Sequence, residues 1–325
     1  MRGNGSRTRG LVRLIAAVAV VGLAGCAALT PDPEPPEPEP VIADEPPPVI
    51  DEPEPAKVPE PPRMPSVAIV LTSSRPAYAD VASELATRFG DYDIYDLSDR
   101  SQPPISVLRV INDSASGAVI AIGLRAAQSS VAMAEVPVVF SQVFNHQDHD
   151  LVTAQSRGVA AIAPLDAQLA AWKKIDPELV RVGAIIGDGH DNLLAEAKLA
   201  AERHGIDLRI RVAHSDQETM YLFRRMVRDV DGFWLFPDNR VLSARVLREM
   251  IDEANRLRVP VAVPNDSMLT MGGTISLSTV AADIADTIVS VIRRIQAGEI
   301  EATPPITPLS EIRVTTNDSV RVADR

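Results

Sequence analysis

The feature that most restricts the fold of this chain is a repeating unit. A compact apolar run is followed by a short polar loop and then by a stretch of helical periodicity. Ser66-Val-Ala-Ile-Val-Leu71 opens the series, with a helical pattern over 78–89. Residues 91–96 alternate as a strand can, 104–114 are compatible with helix, and Gly117-Ala-Val-Ile-Ala-Ile122 is a second apolar run ending at Gly123. Helix over 126–133 and strand over 136–140 follow. Runs this short, apolar at odd and even positions alike, have no face to offer water, so they belong in a sheet covered on both sides. Strands that alternate with helices pair in parallel and wind helices onto both faces.

The unit then restarts. Helix is expected over 165–174, 191–204, 217–229, 241–257 and 280–296. Strands are expected over 180–186, 206–213, 232–236, 259–263 and 274–278. Gly205 is placed to cap the second of these helices. The fold class expected is α/β, with two doubly wound parallel-sheet lobes: 66–155, then 156–303, with a tail over 304–325 that can add one strand. The helix over 280–296 can cross back to the first lobe. Trp172 and Trp234 are assigned to the core.

What precedes residue 66 is of another kind. Residues 31–65 hold fifteen of the 27 prolines, interleaved with acids. Proline removes backbone donors and fixes φ, and like charges repel, so no core can form there. An extended spacer of this length reaches on the order of 100 Å at about 3.1 Å per residue. Before it, Arg2, Arg7, Arg9 and Arg13 precede the apolar run Leu14 to Leu23, too short for a spanning helix of roughly 20 residues. A basic region, a short apolar core and small residues at its end form an export signal over 1–25. Leu23-Ala-Gly-Cys26 resembles the lipobox of bacterial lipoproteins. That resemblance implies cleavage before Cys26, acyl chains such as palmitate on it, and a lipidated linker over 26–65. Two or more chains anchor a protein stably where one is marginal. Ala27, rather than Asp, resembles the sorting pattern that favours the outer over the inner membrane of a Gram-negative cell. The expected place is therefore the cell envelope, lipid-anchored and facing the periplasm.

Charge and cysteine content narrow the function. The net charge is −12, and the segment from residue 66 onward carries −8 of it, which argues against nucleic acid as a partner. A single cysteine allows no intrachain disulfide, so the fold must rest on its core. The chain has no Gly-x-Ser-x-Gly, Walker A or His-Glu-x-x-His sequence, and no enzymatic activity is expected. His146-Gln-Asp-His149 could offer metal ligands but reads better as a solvated loop, and Gly187-Asp-Gly-His-Asp-Asn192 lacks calcium-loop spacing. No metal or cofactor is assigned.

Open parallel sheets bind ligands outside the carboxyl ends of their strands. The candidate cleft residues are accordingly Ser73, Ser74, Gly123, Arg125, Gln142 and Asn145 in the first lobe. In the second they are Asp188, Asp238, Asn239, Asn265 and Ser276. Such hydroxyls, amides and carboxylates suit a small polar ligand. They are also ordinary turn and capping residues, and for Asp238 and Asp191 capping is the favoured role.

Five segments stand in a telling order: Pro137-Val-Val-Phe140 with Leu151-Val152 beyond its loop, Arg181-Val-Gly-Ala-Ile185, Pro237-Asp-Asn239 with Ser243, Val259-Pro-Val261, and Met271-Gly-Gly-Thr-Ile275. Together they resemble the ABC-transporter substrate-binding lipoproteins of the tryptophan/tyrosine type over roughly 66–300. The resemblance implies a type 1 periplasmic-binding fold whose lobes close over a small, amino-acid-like ligand for an inner-membrane ABC permease. Three places depart from that pattern. Phe144-Asn-His-Gln147 stands for the usual Asp-Pro, Ser276-Leu-Ser278 for an aromatic, and Ala281-Ala-Asp-Ile284 for a helix-opening glycine. A second expectation is an outer-membrane lipoprotein that uses the same fold as a protein-interaction module. It would regulate an envelope machine such as peptidoglycan synthesis, whose outer-membrane activators contain such a body.

Overall fold

The computed structural model describes residues 65–238 and 240–318. Cys26, the expected export signal and the proline-rich stretch up to residue 64 lie outside them, and so does Asn239.

The first lobe runs β1 (Val67–Leu71), α1 (Pro76–Ala86), β2 (Tyr92–Asp96), α2 (Pro104–Asn112), β3 (Ala118–Ile122), α3 (Leu124–Met133), β4 (Val138–Ser141) and β5 (Ser156–Val159). The second runs α4 (Leu165–Ile175), β6 (Arg181–Ile186), α5 (Asp191–Arg203), β7 (Asp207–Val212), α6 (Asp216–Met226), β8 (Gly232–Leu235), α7 (Ala244–Arg256), β9 (Val261–Val263) and β10 (Ile275–Ser278). The chain then forms α8 (Ala281–Gln296), β11 (Ile306–Thr307) and β12 (Arg313–Thr316).

Two six-stranded sheets result, ordered β11-β5-β4-β3-β1-β2 and β12-β10-β9-β8-β6-β7. All pairings are parallel except β12 with β10. β1 and β3 are buried along their whole length, as runs apolar on both faces must be. The edges β2 and β7 carry Asp93, Asp96, Asp207, Arg209 and Arg211, charges that discourage pairing with another sheet. Helices α1 and α8 cover one face of the first sheet, with Val81, Leu85, Ile284 and Ile288 in one apolar cluster. Helices α2 and α3 cover the other. In the second lobe α4 and α5 close one face, with Trp172 and Trp234 both buried there, and α6 and α7 close the other. Serines cap the two latter helices: Ser215 Oγ accepts from Glu218 N and Ser243 Oγ from Val246 N.

Two expectations are corrected. The lobe division at 155/156 falls just before β5, yet β5 pairs with β4 in the first sheet. Ser156-Arg-Gly-Val159 has no apolar run to mark it as a strand, and its place is set by its neighbour. The tail supplies two strands rather than one, β11 joining the first sheet and β12 the second. The chain therefore passes between lobes three times, at 160–164, 279–280 and 308–312.

Polar side chains hold the segments beside these crossovers. Arg157, only 8% exposed, donates to the carbonyls of Thr153 (2.6 Å), Ser156 (2.7 Å), Ile300 (2.6 Å) and Thr303 (3.1 Å). Asp283, in the first turn of α8, accepts from Ser310 N (2.9 Å), Ser310 Oγ (2.6 Å) and Glu311 N (2.9 Å). It stands where the family resemblance led one to look for a glycine, and it fixes the third crossover to the start of α8.

Candidate functional site

The loops that follow β4, β6 and β8 meet between the lobes. Asn145, from the first lobe, is buried there, and its Nδ2 donates to Asp238 Oδ1 at 3.0 Å. Its Oδ1 lies 3.0 Å from His190 Nε2. Gln147 Nε2 lies 3.0 Å from His190 Nδ1 and donates to the Gly189 carbonyl. Asp148, also from the first lobe, accepts from Arg240 Nη1 at 2.9 Å. The ring of Phe144 sits 4.8 Å from that of His190 and 6.4 Å from that of Phe236, packed against the second lobe's core.

Asp238 is the centre of this junction and is fully buried. Its Oδ2 accepts from Gly187 N at 2.8 Å. A side chain at Gly187 would have no room, because a Cβ there would stand 2.8 Å from both Asp238 and Arg240. Burial alone would push the Asp238 carboxyl up. His190, whose Nε2 lies 3.6 Å from Oδ2, and hydrogen bonds from Arg240, Gly187 and Asn145 overcome that and hold it far below the usual carboxylate range. The capping role favoured for Asp238 is not what the structure gives it: α7 begins at Ala244 and is capped by Ser243. Asp191 is the first residue of α5. For His146, beside this junction, burial pulls the imidazole pKa down, against a hydrogen bond with the Phe144 backbone.

A groove of about 440 Å³ runs alongside the junction. Val143, Phe144, Val159, Ile162 and Ile306 give it apolar walls, while His146, Gln147, His190 and Asn192 supply polar groups. Its size is that of a small-molecule site, and its mix of a mostly apolar lining with a few polar groups is what such sites use.

The other sequence candidates fall elsewhere. Arg125 Nη1 donates to the Leu97 carbonyl at 2.9 Å, away from the junction. Gly123 adopts φ +85°, and a Cβ there would come within 2.7 Å of Thr72 Oγ1, whose hydroxyl caps α3 by accepting from Ala126 N. Its role is therefore to let a loop and a helix start approach. Ser73 is half-buried and Ser74 exposed in the loop before α1. Gln142 opens the loop after β4 with φ +60°, a left-handed conformation uncommon outside glycine. Asp188 contributes its carbonyl, which accepts from Arg240 Nη2 at 2.9 Å, while its side chain is exposed. Asn265 is engaged in its own loop, accepting from Ser267 Oγ. Ser276 is buried in β10 without a hydrogen-bond partner for its hydroxyl.

Of the candidates, then, Asn145, Asp188 and Asp238 come together, and the residues that join them are His190, Gln147, Asp148 and Arg240. His190 lies in the loop after β6, a strand-end loop like those of Asn145 and Asp238. Arg240 lay two residues past Asp238, close enough in sequence to fold back on it. Among the described residues, no group of three or more His, Cys, Asp or Glu side chains could hold a metal ion. No described helix is long and apolar enough to cross a membrane.

Comparison with known proteins gives a family and a fold. Residues 91–320 match the family model described as ABC transporter substrate binding protein. No curated protein matches the chain. Among solved structures, a ligand-free, open substrate binding protein with adhesive properties from Clostridium difficile is 15% identical, with a TM-score of 0.59. An ABC domain from Streptococcus pneumoniae in complex with L-Trp is 18% identical, with a TM-score of 0.54. A conserved domain protein from Vibrio cholerae is 19% identical, with a TM-score of 0.53. Each comparison covers 79% of this chain and 93% of the other. At these identities the likeness establishes the fold, two α/β lobes of the type 1 periplasmic-binding kind.

Proposed function

The chain belongs to the family of ABC transporter substrate binding proteins, and from that premise we propose that it is a lipid-anchored, non-enzymatic solute-binding protein of the cell envelope. The lobes hold a small polar ligand in the groove between them and pass it to an inner-membrane ABC permease. Cys26 carries the anchor, and the proline spacer gives the lobes reach. The observation that carries this reading is the groove itself. It lies at the carboxyl ends of parallel strands, and its walls come from both lobes, so hinge motion at the three crossovers would open and close it. The L-Trp complex of the Streptococcus pneumoniae relative makes amino acids the first ligands to try.

A thermal-shift screen of the purified protein against amino acids and other small metabolites tests it. A ligand at 100 times its Kd stabilises by about 2.7 kcal/mol, a readily measured rise in Tm. No shift across the library would sink the solute reading.

The polar groups at the junction largely satisfy one another, and this favours keeping a second reading. In it the body serves as an interaction module for an envelope machine such as peptidoglycan synthesis, held at the outer membrane. Membrane fractionation separates the two, since a transport receptor belongs beside its permease in the inner membrane.

A further inference from the structure

We propose that the Asp238 carboxylate forms a guanidinium-binding site that the chain fills with its own Arg240, and that this internal cation fastens the two lobes together. Five hydrogen bonds reach the two oxygens of Asp238, and three come from Arg240: its backbone N (3.1 Å) and Nε (3.0 Å) to Oδ1, and Nη2 (3.0 Å) to Oδ2. The side-chain pair is the two-pronged geometry by which a planar guanidinium meets a carboxylate. The same Arg240 extends beyond the pair. Nη1 donates to Asp148 of the first lobe at 2.9 Å, and Nη2 donates to the Asp188 carbonyl at 2.9 Å.

The cradle is shaped for this cation. Gly187 is the residue whose missing side chain lets both the carboxylate and the guanidinium approach. Asn145 presents its amide to Asp238 from the opposite lobe, so Asp238 and Arg240 each bond across the junction. A ligand ammonium or guanidinium would have to displace Arg240 to reach Asp238. Closure therefore needs no positive charge from a ligand, and cationic groups are selected against at this point of the cleft. The inference concerns the junction and stands whether or not a ligand is found for the groove.

Hydrogen–deuterium exchange on the full chain tests it, read in peptides covering 142–149 and 187–193. Arg240→Ala is expected to speed exchange at least ten-fold in both, one on each lobe, with peptides of β1 and β3 unchanged. Millimolar methylguanidinium is expected to restore protection in this variant and to leave the natural protein unaffected. Arg240→Lys keeps the charge without the fork and should restore protection only in part. Asp148→Ala, at an exposed position, removes the acceptor of the arm to the first lobe alone and should speed exchange in 142–149 only. The proposal is overturned if Arg240→Ala exchanges like the natural protein, or if methylguanidinium fails to rescue it. If Arg240→Ala does not fold, unchanged exchange in Asp148→Ala overturns it instead. A metabolite screen without hits would remove the solute reading and leave the exchange result standing.

Discussion

The lobes are joined in two ways, and the chemistry differs between them. Beside the crossovers, Arg157 spends its guanidinium on four backbone carbonyls, and Asp283 takes two backbone amides and one hydroxyl. At the cleft, Arg240 and Asp238 bond each other, with Asn145, His190 and Asp148 around them. Backbone partners are fixed in place by the fold and cannot be exchanged. Side-chain partners can be replaced by another molecule carrying the same groups. The crossovers thus rest chiefly on backbone partners, and the cleft adds a side-chain pair that substitution can remove and an added guanidinium can replace.

Substitutions sharpen that contrast. Arg157→Ala takes a charged donor from four carbonyls, of which those of Thr153 and Ile300 keep a backbone amide, and is expected to lower stability most, by about 4 kcal/mol. The denaturation midpoint should fall with an unchanged slope, and added guanidinium compounds at non-denaturing concentration should not restore it. Asp238→Ala removes one partner of a largely buried pair and should cost about 3 kcal/mol, at the low end for such pairs because Arg240 keeps some contact with water. Asp238→Asn, which keeps the shape and half the accepting capacity, should cost less in the same denaturation assay. If Arg157→Ala proves the milder of the two alanine variants, the crossovers are not the stronger of the two fastenings.

Acid should act on the cleft before the crossovers. The folded-state pKa of His146 lies below its usual value of about 6.5, so the unfolded chain takes the proton first as pH falls, and stability drops from there downward. The folded-state pKa of Asp238 is also depressed. Its contribution is complete above about pH 4, the unfolded value, and is lost as pH falls further towards the folded one. Both signs agree. Tm measured between pH 7 and 5 should decline, and His146→Gln should flatten that decline, the smallest of these effects. A Tm that rises over the same range would contradict the burial of His146.

Much of the fold was legible because buried parallel strands write themselves plainly. Val67–Leu71 and Ala118–Ile122 are apolar at every position, and each is followed by a helix. β5 was not legible, since Ser156-Arg-Gly-Val159 is a strand only because β4 and β11 lie on either side of it. The site shows the same limit. Placement after a strand end raises Asn145 and Asp238, which meet at the junction, but applies equally to Arg125 and Asn265, which serve their own surroundings. Local sequence offers each loop its polar groups and leaves their partners open.

The sequence by itself determined the alternation of strands and helices, the two lobes, and the separate character of the proline-rich stretch before them. These follow from short-range patterns of burial, backbone restriction and charge. Only the tertiary structure decided which loops meet. Asn145 and Asp238 are 93 positions apart, and their bond depends on how three crossovers set one lobe against the other. Arg240 could equally have faced water. It turns inward because a buried carboxylate needs a partner, and the fold places the nearest guanidinium two residues away.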